Sequence, residues 1–160
     1  MTDPKWLTES EDRAWRGLHE MNRALDHVLS RRLGDDSGLS MADYELLVPL
    51  SEAAGRRLRA RDLGQLVQWE KSRLSKHVSR MEQRGLVSRQ ECSADARGSF
   101  ICLTESGWAA ITAAAPDHVE AVRRYFVDLL DAGELRMFAE VSDRVVARAS
   151  EGAGPTDPCD

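Results

Sequence analysis

Apolar positions recur along most of this chain at spacings of three and four, the signature of amphipathic helices. Between about Ser10 and Leu33, Trp15, Leu18, Asn22, Leu25, Leu29 and Leu33 fall on one helical face. A second helix is expected over 41–54, bent by Pro49 inside it. Arg61–Val67 supplies a short third helix with Leu63, Leu66 and Val67 as packing residues, and Trp69 follows in a turn where its ring can wedge two helices apart at a fixed angle. From Glu70 to Arg84 the stripe is Leu74, Val78 and Met81, and Gly85 is a C-cap tolerant of positive φ. Leu86–Cys92 and Ser99–Thr104 then read as two strands around a Ser93–Gly98 turn. Two further stripes follow. One runs from Glu105 to Leu130 through Ile111, Ala115, His118 or Val119, Val122, Phe126 and Leu129, with a kink at Pro116; the other, Gly133 to Ala149, offers Leu135, Phe138, Ala139, Ser142, Val145 and Val146.

Short helix, second helix, hairpin is the order of a winged helix-turn-helix. The predicted fold class is therefore mainly α with a small β-hairpin wing, a lobe over about 41–107 with flanking dimerisation helices over about 9–34 and 105–149. Residues 1–150 form a single domain in this reading, and the polar Gly/Pro tail 151–160 is expected to be disordered. The flanking helices carry more apolar surface than the lobe can cover, so a homodimer built on a two-fold axis is expected.

Charge sharpens the picture. The chain of 160 residues is acidic overall, with a formal net charge of −5. Residues 56–100 nonetheless hold eleven Lys/Arg against five Asp/Glu, a local net of +6 that leaves −11 for the remainder. A cationic segment on an acidic body suits phosphate contacts at one surface only. On the Glu70–Arg84 helix, Ser72, Lys76 and Ser79 lie opposite the apolar stripe, with Arg73, Ser75 and Arg80 on the flanks. Small hydroxyl residues permit close approach, and Arg supplies a donor fork that matches guanine O6 and N7. His77 falls nearer the packed edge, as a partly buried or phosphate-contacting histidine rather than a base reader. Arg97 sits at the hairpin tip, where it is either an ordinary exposed arginine or one inserted into a narrow A·T-rich minor groove.

Taken together, Leu63-Gly-Gln-Leu-Val67, the run from Ser72 to Val87, Asp95-Ala-Arg97 and Leu103-Thr104-Glu-Ser-Gly107 resemble the MarR family of bacterial transcription regulators. The Asp-x-Arg followed by Leu-Thr-x-x-Gly is the specific part, and the likeness extends upstream through Tyr44–Gly55. The resemblance implies a dimer of triangular outline whose terminal helices pair and whose two winged lobes sit on a palindromic double-stranded DNA operator, as a repressor. It further implies that Ser72, Arg73, Ser75, Lys76 and Arg80 enter the major groove and Arg97 the minor groove, with Asp95 fixing Arg97 through a charge-assisted hydrogen bond. Ligands in such proteins often occupy a cleft between the dimer helices and the winged lobe. Trp15, Arg16 and His19 would offer an aromatic wall, a cation and a titratable ring to a small aromatic anionic effector; the other reading makes Trp15 dimer core and the other two surface or ion-paired groups.

Other classes find less support. No Gly-x-Ser-x-Gly elbow, His-Glu-x-x-His, phosphate loop or dinucleotide fingerprint occurs, so no enzyme activity and no cofactor is expected. Three cysteines, at 92, 102 and 159, have no zinc-site spacing. Cys92 and Cys102, on opposing wing strands, read either as a redox pair or as reduced thiols of a cytosolic protein. Without a signal-peptide-like start or a long apolar run, a cytoplasmic protein with no membrane partner is expected. The alternative function that keeps the fold is a winged-helix protein-interaction module without specific DNA binding.

Overall fold

The computed structural model describes residues 4–91 and 99–152. The chain divides into two compact units, 1–121 and 122–160. The first contains α1 (Glu9–Ser37), α2 (Met41–Glu52), a 3-10 turn, β1 (Arg57–Arg59), α3 (Ala60–Val67), α4 (Lys71–Gln83), β2 (Val87–Glu91), β3 (Ser99–Leu103) and most of α5 (Glu105–Tyr125). The second contains the end of α5, a 3-10 turn at Val127–Leu129 and α6 (Ala132–Gly152).

Local chemistry sets the helix ends. Thr8 and Glu11 form a reciprocal capping box at the start of α1, and Gly38, at φ +70°, closes it. Ser40 and Asp43 repeat the box at α2. At the end of α4, Gly85 takes φ +73°, its N–H donates to Glu82 O, and the Leu86 N–H donates to Met81 O, a Schellman closure that turns the chain into β2. The glycine expected as the cap thus fills that role.

Leu46, Leu47 and Leu50 from α2, Leu63 from α3, Val78 and Met81 from α4, and Ile101 from β3 form the fully buried centre of the first unit. The wing hairpin forms where it was expected, with Val87 opposite Leu103 and Glu91 opposite Ser99. The sheet has a third strand that the sequence did not announce: β1 pairs antiparallel with β3, Arg57 opposite Cys102 and Arg59 opposite Phe100, giving the order β1-β3-β2. Three residues of which two are arginine carry no strand signal of their own; β3 recruits them by offering its free edge.

Several packing expectations require correction. Leu66 is 62% exposed and belongs to the outer face of α3, which packs through Leu63, Gly64 and the half-buried Val67. On α5 the buried positions are Gly107, Ile111, Ala114 and Ala121; Ile111 falls where expected, Ala115 and Val122 are only half-buried beside Ala114 and Ala121, and of the two alternatives His118 is half-buried while Val119 is exposed. That helix also stops at Tyr125; Phe126, at φ −139° and ψ −64°, breaks it, so Phe126 and Leu129 do not extend its stripe. Leu129 is exposed, and Phe126 meets Phe138 edge-on at 5.2 Å within the second unit. Pro49 and Pro116 both lie inside helices that continue past them. Asp95, Arg97 and Cys92, together with the tail from 153, lie outside the described residues. Among the described residues, no helix is long and apolar enough to cross a membrane.

Candidate nucleic-acid interface

The amphipathic pattern of α4 divides it into a buried face and an exposed one. Leu74, Val78 and Met81 are buried, and on the outside Ser72, Arg73, Ser75, Lys76 and Arg80 are all exposed. The structure therefore brings together five of the sequence-predicted contact residues on one solvent-facing surface. Ser79 lies half-buried at its border: its hydroxyl donates to Ser75 O at 3.0 Å and accepts from Arg89 at 3.2 Å. His77 does not join them. Its side chain is 13% exposed, and Nε2 lies 2.9 Å from Asp43 Oδ1 on α2.

Trp69 occupies the turn between α3 and α4 and is buried, the wedge its position suggested. It serves both faces of α4. Its ring meets the His77 ring edge-on at 5.5 Å, and the Arg73 guanidinium stacks over it at 3.9 Å. A guanidinium held over an indole keeps its donors in plane and available at the edge, at less conformational cost than a free side chain. The backbone of the turn is tight. Gln68 takes φ +54°, and a Cβ at Gly64 would already be at 3.4 Å from both Leu74 Cδ2 and Trp69 O.

Two clasps hold α4, and the sequence reading saw neither. On the inner side, Asp43 accepts from His77, from Arg84 Nη1 at 2.6 Å and from the Ser40 backbone N–H at 2.9 Å. Burial by itself would raise the Asp43 carboxyl, but the Arg84 hydrogen bond, the Ser40 backbone and hydroxyl, and the Arg84 charge outweigh it and hold the group below the ordinary carboxylate range. On the outer side, Arg89 of β2 reaches back along the helix. Its Nη2 donates to Ser75 O at 2.9 Å, its Nη1 lies 3.0 Å from Glu82 Oε2, and its own N–H donates to Glu82 Oε1 at 2.9 Å. The wing is thereby tied to the helix it flanks. Asp43 carried one local signal, as the third residue after Ser40 in a capping box; its partners on α4 are too distant in sequence for any spacing rule.

The Leu103-Thr104-Glu-Ser-Gly107 motif acquires a physical meaning at the other end of the wing. Thr104 caps α5 by accepting from the Gly107 N–H at 2.9 Å, while its hydroxyl donates to Gly85 O at 2.6 Å, with Leu86 O at 3.0 Å. Gly107 is required because a Cβ there would strike the Leu86 carbonyl oxygen. Around this junction the basic side chains sit on aromatic rings: Arg56 lies 3.8 Å over Trp108, and Arg57 and Arg59 lie 5.1 and 5.4 Å from Phe100. Cys102 is buried opposite Ser88, and burial pushes its thiol up against a smaller opposing effect of Arg57, which leaves it a poor nucleophile.

The effector candidates lie on the exposed N-terminal half of α1. Trp15 is 54% exposed and meets His19 edge-on at 4.3 Å, while Arg16 is paired with Asp12 of its own helix at 2.7 Å. The three share one stretch of helix, with the cation engaged locally.

Comparison with known proteins agrees with this architecture. The MarR family profile matches residues 37–98. Transcriptional regulator HosA of Escherichia coli is 37% identical over 126 residues, covering 79% of this chain and 91% of its own. Among solved structures, AbsC, a MarR family transcriptional regulator from Streptomyces coelicolor, superposes with a TM-score of 0.89 at 41% identity, covering 92% of this chain and 99% of that one. Sco3205, a MarR family transcriptional regulator from the same organism solved in complex with DNA, gives a TM-score of 0.88 at 38% identity over 96% of this chain and 94% of that one. With the winged lobe, the Leu-Thr-x-x-Gly junction and relatives of this similarity in agreement, the chain belongs to the MarR family of transcriptional regulators.

Proposed function

We propose that this regulator binds a palindromic double-stranded DNA operator sequence-specifically as a homodimer and represses transcription by occupying it. The observation that carries the reading is the outer face of α4, where Ser72, Arg73, Ser75, Lys76 and Arg80 are exposed together on a helix clamped from behind and from the side. A rigidly held helix with small hydroxyls and guanidinium donors is what major-groove readout requires. The DNA complex of the similar Sco3205 supports it. In this reading Arg73 reads bases, Lys76 and Arg80 hold phosphates, Asp95 and Arg97 act at the wing tip, and His77 acts through the position of the helix. The two compact units then work as one DNA-binding domain.

Selection of binding sites from random duplexes tests the assignment. The wild type should recover an inverted repeat, with affinity falling linearly on a log–log plot as salt rises. Arg73→Ala should change the preferred base pairs, whereas Lys76→Ala should weaken all sequences evenly. Identical recovered motifs for wild type and Arg73→Ala would reject the assignment, and no duplex binding at low salt would favour a protein-interaction module. Arg97→Ala should cost operator binding about 1–3 kcal/mol and leave the unfolding midpoint in place; normal operator affinity would remove Arg97 from the mechanism.

The homodimer is supported by apolar side chains that one chain leaves exposed: Trp15 and Leu18 on α1, and Met137, Phe138, Val141, Val145 and Val146 on α6. Two copies would place their recognition helices on half-sites roughly 34 Å apart, one duplex turn. Sedimentation at micromolar concentration should give a dimer with or without operator, and a persistent monomer would refute it. A releasing effector would be an anionic aromatic compound drawn to the Trp15 and His19 rings and able to take Arg16 from Asp12.

A further inference from the structure

Asp43 is the one charged side chain buried among the described residues, at 1% exposure, and each of its two oxygens meets a residue of α4 or its C-cap. Oδ1 faces His77 Nε2; Oδ2 takes Arg84 Nη1 and the Ser40 N–H. Arg84 continues the connection, with Nη2 donating to Gly38 O at 3.0 Å, and Gly38 is the residue that ends α1.

His77 within α4 and Arg84 at its C-cap stand seven residues apart on one face, two helical turns. Two anchors separated along a helix constrain its rotation about its axis as well as its position along it, which a single contact does not. Packing of Leu74, Val78 and Met81 buries the helix, but the hydrophobic attraction that drives it is itself non-directional. A charged, hydrogen-bonded anchor is directional, and buried ion pairs contribute more to orientation than to net stability in the best-attested cases. The anchor also reaches the DNA-facing side: His77 packs edge-on against Trp69, and Trp69 carries Arg73 on its ring. From Gly38 through Arg84, Asp43, His77 and Trp69 to Arg73, the contacts run without a gap from the C-terminus of α1 to a proposed base reader.

We infer that Asp43, with His77 and Arg84, is a positioning hub that sets the rotation of the recognition helix relative to the α1–α2 corner, and so sets sequence discrimination rather than overall DNA attraction. The inference rests on the DNA-binding reading above. None of the three carboxylate partnerships requires contact with DNA, and the side chain of Asp43 is closed to it.

The test measures operator and random-duplex affinity at fixed salt for four proteins whose folding is followed by thermal melting. His77→Phe keeps the ring against Trp69 and deletes the bond to Asp43; His77→Gln restores a donor; Asp43→Asn keeps an acceptor for the Ser40 cap and removes the charge. In His77→Phe and Asp43→Asn the operator affinity should fall by about tenfold while random-duplex affinity stays within twofold, so the specificity ratio collapses. His77→Gln should recover most of the ratio. A folded His77→Phe protein with an unchanged ratio overturns the hub, and so does an equal loss on both duplexes, which would mean a lost phosphate contact or a partly unfolded population. Failure of the wild type to prefer any duplex would instead overturn the DNA-binding reading, and the hub with it.

Discussion

Gly107→Ala should lower folding stability by about 3 kcal/mol, the upper end of the usual cost of overpacking. The added methyl group would land on the Leu86 carbonyl oxygen, 2.9 Å from the Leu86 carbonyl carbon and 2.8 Å from Leu103 Cδ1. Leu103 can rotate away; the backbone of Leu86 has no such freedom. Its oxygen accepts from the Thr104 N–H at 3.2 Å and stands near the Thr104 hydroxyl, so displacing it strains the contacts that join the wing to α5. The midpoint of thermal unfolding should drop by roughly 6–12 °C for a chain of this size. Gly34→Ala supplies the control, since a Cβ there meets nothing within 4 Å; a helix-interior Gly→Ala change should raise stability by about 0.5–1 kcal/mol. A Gly107→Ala protein that melts with the wild type would refute the steric account of the Leu-Thr-x-x-Gly signature.

Asp43→Ala should cost about 2–4 kcal/mol at neutral pH, through loss of the α2 cap and of a buried carboxylate with two partners. The figure sits below the full cost of breaking a buried pair because the Arg84 side chain is 45% exposed and can rehydrate. The pH dependence follows from the direction of the shift. The folded state holds Asp43 below the ordinary carboxylate range. Its contribution is therefore complete above the unfolded value, about 3.9, and is lost as pH falls from there through the lower folded value. Urea midpoints of wild type and Asp43→Ala should lie closer together at pH 3 than at pH 5, because the wild type loses this contribution as the carboxyl is protonated. A gap of the same size at pH 3 and pH 7 would show that the carboxylate charge contributes nothing and that the loss is one of packing alone.

Much of the architecture was legible before any coordinates. The helices α1, α4 and α6, the buried stripe of α4, the Gly85 cap and the wing strands are short-range features, and residues a few positions away decide each of them. The exposed face of α4 follows from the same periodicity, which is why Ser72, Arg73, Ser75, Lys76 and Arg80 emerged together. The family resemblance was legible too, because Asp95-Ala-Arg97 and Leu103-Thr104-Glu-Ser-Gly107 are contiguous in the chain.

The misplaced details share a cause. From sequence Leu66 reads as inward because an eight-residue helix is too short for its periodicity to separate the packed face from its neighbour; the tertiary neighbours select Leu63 and Gly64 instead. On α5 the buried face runs through Ile111 as expected but then through Ala114 and Ala121 rather than Ala115 and Val122, because a run of alanines offers neighbouring faces of equal apolarity and tertiary contact selects one. Strand β1 exists only because β3 has an edge to offer.

What the sequence by itself determined, then, is the six helices and the two wing strands, their order, the family and the polarity of α4, since all of these are written in local spacing. Tertiary structure alone decided how that helix is held. Asp43 meets His77 across 34 residues and Arg84 across 41, and Arg89 meets Ser75 across 14. A carboxylate that reads locally as one more helix cap becomes the anchor of α4 only when folding removes it from water and leaves Arg84 and His77 as its partners beside Ser40.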